Sequence, residues 1–156
     1  MKKTNATRLL SQKKIPHQLY PYTYDPDNLE VSVVAASLGF PTPLLYKTLV
    51  AIGDKTGVIV ALVPGDLQLN PKALAKVSGN KKIALAAVKQ LQSLTGYIRG
   101  GCSPLGMKKH FPLYVHESAV GLEAIYINAG QRGLMIGMAA DDLIDLVDAT
   151  DCDICS

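Results

Sequence analysis

The spacing of apolar residues along the chain changes repeatedly, and each change marks an element. "NATRLLSQKK" reads as a short first helix, capped by Thr4 or Asn5, with Leu9 and Leu10 facing inward. "HQLYPY" is extended, and "YDPDN" is turn chemistry. "VSVVAASLGF" predicts a helix closed by Gly39. "YKTLVAI" and "GVIVALV" are β-branched apolar runs joined by "GDKT", which predicts a hairpin. Asn70 caps and Pro71 starts a helix over "PKALAKVSG", the residue types those positions favour. "LAAVKQLQSLTG" gives another helix ending at Gly96. Strands follow at "PLYVHE", "EAIYIN" and "GLMIGM". A last helix, "ADDLIDLV", carries acids at its positive N-terminal end.

Hairpins interrupted by helices, with no internal repeat, predict an α+β domain built on a curved, mainly antiparallel sheet. At 156 residues the chain is expected to form one domain over 1–156, with an acidic tail frayed over 147–156. The basic start lacks the continuous apolar run of a signal peptide, and no stretch approaches the length of a membrane span. Three cysteines, an odd number, argue against a disulfide framework and for a reducing compartment. The expectation is a soluble, cytoplasmic domain without a membrane partner.

The net charge of +3 conceals an asymmetry. Asp141, Asp142, Asp145, Asp148, Asp151 and Asp153 fall in the last sixteen positions, whereas all 16 lysines and arginines precede them. A body so basic can attract a polyanion such as RNA, although solvated lysines beside an acidic tail give the same pattern.

Two places carry candidate chemistry. Lys47 is the only charge in "PLLYKTLVAI". As a strand residue it shares a face with Leu45, Leu49 and Ala51, while Tyr46, Thr48 and Val50 take the other. Lysine is seldom enclosed without a partner or a purpose, so Lys47 is either a snorkelling edge residue or a cation aimed into a pocket. The second place is "IRGGCSPLGMKKH". Gly100 and Gly101 permit unusual backbone angles and close approach, and Pro104 holds Ser103 extended. The amides of Gly101, Cys102 and Ser103 are expected to converge on an oxygen atom, unless the loop is only a tight turn. Arg99, Lys108 and Lys109 are candidates to guide an anion there.

Cys102 as a nucleophile requires a base within hydrogen-bond reach, and His110 and His116 qualify only by being present. Cys152 and Cys155 form a terminal "CDIC", a spacing used by zinc and redox sites, but no second ligand pair accompanies it. No metal and no cofactor is expected.

Taken together, "KKIPHQLYPYTYD", "KTLV", "TGYIRGGCSPLGMKK" and "AIYINAGQRGLMIGMAADDL" resemble the YbaK/EbsC branch of the prolyl-tRNA synthetase editing-domain superfamily, in matching order from Thr4 to Val147. The resemblance implies a mixed α/β domain around a barrel-like sheet flanked by short helices. It implies hydrolysis of mischarged tRNA, specifically cysteine attached to proline tRNA, with the acceptor end of that tRNA as partner and a transient complex with prolyl-tRNA synthetase. By position it assigns catalysis to Lys47, Gly101 and Ser103. Substrate binding falls to Tyr22, Gly100, Cys102, Pro104, Asp142 and the turn Gly130, Arg132 and Gly133.

The resemblance further implies substrate-assisted chemistry, in which the cysteine thiol attacks its own ester and no protein nucleophile is needed. Three rivals stay open. They are a deacylase of Ala-tRNA(Pro) or another mischarged tRNA, a non-catalytic tRNA- or nucleotide-binding module, and a thiol hydrolase dependent on Cys102.

Overall fold

The computed structural model describes residues 3–156, which form five α-helices and eight strands. Helix α1 (Asn5–Gln12) begins at Thr4, which takes up two orphan amides reciprocally with Thr7. Thr4 Oγ1 accepts from Thr7 N at 3.1 Å, and Thr7 Oγ1 accepts from Thr4 N at 2.9 Å. Thr4 also donates to the carbonyl of Ala129, tying the helix to the end of β6 (Ile125–Asn128). Ala6 and Leu10 are fully buried beneath it.

The central element is the hairpin of β2 (Tyr46–Gly53) and β3 (Gly57–Pro64), paired from Tyr46↔Pro64 to Gly53↔Gly57. Its two faces bury different things. Leu49 and Ala51, with Ile59, Ala61 and Val63, pack against Leu74 of α3 (Pro71–Ser78). Tyr46, Val60 and Leu62 join the larger core beneath α1 and α5 (Ala140–Val147). Strands β4 (Ile83–Leu85), β5 (Leu113–His116) and β8 (Thr150–Cys152) complete a five-stranded sheet in the order β4-β2-β3-β5-β8. A second sheet, β1-β7-β6, comprises β1 (Gln18–Pro21), β7 (Leu134–Met138) and β6. An isolated bridge, Leu45↔Tyr126, links the sheets, and they share a core without a continuous ladder between them. Helices α2 (Val31–Leu38), α3 and α4 (Val88–Thr95) each close on a left-handed glycine, respectively Gly39, Gly79 and Gly96.

The architecture is the mixed α/β domain expected, with three differences. The pairs β3–β5 and β5–β8 are parallel, while the other four are antiparallel. Leu85, read from sequence as the start of a helix, instead ends β4, and α4 begins at Val88. The acidic tail is not frayed. Residues Thr150–Cys152 pair with β5, Ile154 is fully buried, and Asn70 N donates to the Ile154 carbonyl at 2.8 Å. One buried isoleucine and a strand edge in need of a partner outweigh the solvation of the neighbouring aspartates.

Candidate active site

Strand β4 covers the edge of β2 only from Ala51 to Gly53, and Ala86 N caps it by donating to Val50 O at 2.9 Å. Beyond that point the edge from Tyr46 to Leu49 borders a cavity of about 830 Å³. Lys47 and Thr48 line it together with Gly100, Cys102, Tyr22 and Leu29. Lys47 Nζ lies 3.4 Å from the carbonyl of Leu67, a long hydrogen bond that leaves donors for a ligand. The hydroxyl of Thr48 is buried without a hydrogen-bond partner among the described residues, a position sequence reasoning passed over. Its only signal was adjacency to Lys47. Burial raises the Tyr22 phenol, so it enters the pocket as a neutral donor.

The glycine loop is held from behind. Gly100 has φ +81°, and a Cβ there would meet Leu29 Cδ1 at 2.9 Å and Arg132 Nε at 3.2 Å. Asn128 Nδ2 donates to the Gly100 carbonyl, and Arg132 Nε donates to the Arg99 carbonyl at 2.8 Å. Asn128, also unread from sequence, therefore braces the loop while lining the pocket. The turn of Gly130, Arg132 and Gly133 supports this wall and does not itself line the cavity. Gly133 O accepts from Tyr22 N at 2.9 Å, which fixes the tyrosine as well.

The expected nest of three amides is corrected. Gly101 N donates to Ile98 O at 3.0 Å and closes a turn, so it is not free for a substrate. A Cβ on Gly101 would press on the main chain at Gln131, 3.1 Å away, rather than on a bound molecule. Ser103 is fully buried, its hydroxyl accepting from Leu105 N at 3.2 Å, and lies off the cavity wall. The amide of Cys102, on the wall, donates to no other main-chain group among the described residues.

Other expected residues lie elsewhere. Pro104, Lys109 and His110 line a separate crevice of about 210 Å³, together with Leu146 and Val147 of α5. Lys108 lies over Gly96 at the end of α4. Arg99 is on the rim of the main cavity. Asp142 is exposed in the first turn of α5, a helix that contributes nothing to the main cavity.

Burial pushes the Cys102 thiol up to about 11, an effect only partly offset by a hydrogen bond with Thr95. Among the described residues no histidine stands on the cavity wall to accept its proton. His116 is occupied with Ser118 at 2.8 Å and lies 3.6 Å from Asp153. Cys152 and Cys155 are likewise raised to about 11, chiefly by burial, and pack against the α3 side of the sheet. Among the described residues no group of three His, Cys, Asp or Glu side chains is placed to hold a metal ion.

The candidate site is thus an open cavity lined by a lysine-bearing strand and a braced glycine loop, with no histidine on its wall among the described residues. The family model described as an aminoacyl-tRNA editing domain matches residues 25–146, and the chain belongs to that family. It is 47% identical over 144 residues to EbsC of Enterococcus faecalis, covering 92% of this chain and 88% of that one. EbsC is named as a candidate Cys-tRNA(Pro)/Cys-tRNA(Cys) deacylase. A stretch of 89 residues is 32% identical to the proline–tRNA ligase of Thermodesulfovibrio yellowstonii, spanning 57% of this chain and 15% of the ligase. The fold is shared with a crystal structure described as a candidate trans-editing enzyme for prolyl-tRNA synthetase. That match has a TM-score of 0.84 and 20% identity, over 100% of this chain and 99% of that one. A hypothetical protein, APE2540, matches with a TM-score of 0.88 and 22% identity, over 98% and 100% of the two chains.

Proposed function

We propose that the chain is a trans-editing enzyme that removes cysteine from proline tRNA, using the substrate's own thiol as nucleophile. One observation carries this reading. The cavity brings Lys47 and the glycine loop together, and its one thiol, Cys102, is held protonated with no histidine on the wall among the described residues. Such a wall can hold an ester but offers no activated cysteine to attack it. The relative named for Cys-tRNA(Pro) points to the same substrate.

In this mechanism Lys47 anchors ribose or phosphate oxygens of the terminal nucleotide, and the Cys102 amide donates to the ester carbonyl as charge develops on it. The substrate thiol attacks the carbonyl carbon, so a C–S bond forms. The C–O bond to the ribose then breaks, and the thiol proton passes to the departing ribose oxygen. The products are the cysteine thiolactone and free tRNA, and water opens the thiolactone afterwards. Fixing both reacting groups in one residue gives the step its advantage. A separate editing site is needed because a pocket for proline cannot strongly reject another small amino acid by size.

The test compares deacylation of proline tRNA charged with cysteine, serine or alanine, with binding of each measured separately. A hydroxyl yields far less anion than a thiol near neutrality, so the serine ester is expected to bind and persist. Comparable kcat values for cysteine and serine would exclude the substrate-thiol step. Preference for alanine would assign the site to a deacylase of Ala-tRNA(Pro).

A further inference from the structure

Asp27 and Glu30 line the main cavity, as do Leu85 and Ala86 at the end of β4, Val88 and Leu91 of α4, and Arg99. A polyanion entering the cavity is repelled by the two carboxylates and meets no acidic residue along the β4–α4 segment. Following β4 backwards from Leu85 leads, in three residues or about 10 Å of strand, to Lys82 and then Lys81. Lys55 stands beside them at the turn of the β2–β3 hairpin.

This corner is braced. Asp54 Oδ1 accepts from the main-chain amides of Lys81 at 2.9 Å and Lys82 at 3.1 Å. Asn80 Oδ1 accepts from Lys55 N at 2.8 Å and Thr56 N at 3.0 Å, and Asn80 Nδ2 donates to Ser78 Oγ at 2.8 Å. Gly53 lies so close to the Asn80 amide that no Cβ fits between them. The main chain is thus fixed while the side chains of Lys55, Lys81 and Lys82 reach into solvent. Asp54 spends its carboxylate on the two amides, and the sole ion pair among the described residues is His116–Asp153. Lys55 sits in the field of the Asp54 carboxylate, yet three ammonium groups against one carboxylate leave the corner net positive toward an anion.

We infer that the acceptor stem of the tRNA lies on this corner of Lys55, Lys81 and Lys82, and that its 3′ end enters the cavity along the β4–α4 segment. The inference rests on the tRNA reading above and names the surface that reading lacks. Distance supports it. Lys47 and Gly53 are six strand residues apart, about 20 Å. At about 3.4 Å per stacked nucleotide, a terminal ribose at Lys47 brings the corner level with the backbone about six nucleotides back. There the phosphates belong to a duplex, which lysines read by charge and shape rather than by base. The basic pair Lys108 and Lys109 is less suited, since Lys109 borders the separate crevice beside α5.

The experiment pairs Lys81→Glu/Lys82→Glu with Lys108→Glu/Lys109→Glu and uses two substrates, full-length Cys-charged proline tRNA and a cysteinyl CCA trinucleotide. For the first variant, KM for the full tRNA is expected to rise about tenfold with kcat unchanged, while the trinucleotide is processed as by wild type. The log–log salt slope for binding uncharged proline tRNA should become shallower by about 1–2, roughly one unit for each phosphate that is no longer neutralised. An equal loss on the trinucleotide would mean a merely structural effect and overturn the inference. So would an unchanged KM for the full tRNA, or the same shift produced by the Lys108/Lys109 variant instead. Binding of uncharged tRNA is read without any turnover. If wild type hydrolyses none of the esters, a weakened Lys81/Lys82 variant still upholds the surface while the deacylase reading falls.

Discussion

Cys102 shows how a reactive residue type can be disarmed by its place. A free thiol titrates near 9.0, but burial carries this one to about 11. The thiolate fraction near neutrality falls by about a hundredfold, and alkylation should slow in proportion. The same shift has a consequence for stability. Below pH 9 both the native and the unfolded chain hold the proton. Between 9 and 11 the unfolded chain releases it while the native protein keeps it, so stability falls as pH rises through that window. Tyr97, raised to about 12, and the two tail cysteines add to the same decline. Cys102→Ala is expected to retain most deacylation and to lose less stability than wild type between pH 8 and pH 10.5, measured by urea unfolding at each pH. Abolished activity, or an alkaline decline identical to wild type, would restore Cys102 as a chemical participant. Sequence alone showed that a cysteine stood beside two glycines. It could not show the hydrogen bond with Thr95 or the absence of a histidine, because those depend on which distant segments meet.

At the scale of elements, strong local patterns translated directly. The cap at Thr4 or Asn5 (which falls at Thr4), the Asn70–Pro71 helix start and the glycine stops of α2 and α4 are chemistry within a few residues, and all of them stand. The β2–β3 hairpin was equally plain from its paired apolar runs. Weak elements were hidden because tertiary partners make them. Strand β4 is three residues long with two exposed, and it exists because β2 offers an edge. Strand β8 lies among aspartates, and one side chain, Ile154, anchors the segment that follows it. That residue is fully buried against Ala51, Ile59, Ala61, Val63 and Leu74, and the main chain beyond it is pinned by Ser156 N donating to Gln68 O at 3.0 Å. Ile154→Ala is therefore expected to cost about 2–4 kcal/mol, the range for truncating a buried branched side chain. Removal of residues 153–156 should cost at least as much. Chemical denaturation of the two variants checks this. A loss under about 0.5 kcal/mol, the scale of an ordinary surface change, would return the tail to the frayed state its composition suggests.

Over the whole molecule, where charge acts is set by the fold rather than by the order of residues along the chain. The basic body and acidic end were visible along the chain, and folding gives that asymmetry a direction. Asp142 and Asp145 are exposed on α5, which packs on the large core and lines only the smaller crevice, whereas Lys47 and Arg99 line the main cavity. Two consequences follow for the variant Asp142→Asn/Asp145→Asn. If Asp142 held the substrate's amine, kcat would fall by about tenfold or more at any salt concentration, the scale of a lost charged hydrogen bond. If it contributes only a distant negative field, kcat stays level and the effect depends on screening. At about 0.15 M salt the Debye length is about 8 Å, so kcat/KM should change by less than about twofold. At about 0.01 M it reaches about 30 Å, and removing two repelling charges should raise kcat/KM for the full tRNA several-fold through faster encounter. The trinucleotide ester, with few phosphates, should show little of this gain. Measuring both substrates at the two salt concentrations separates the cases, and a salt-independent collapse of kcat would show that α5 reaches the reacting group in solution.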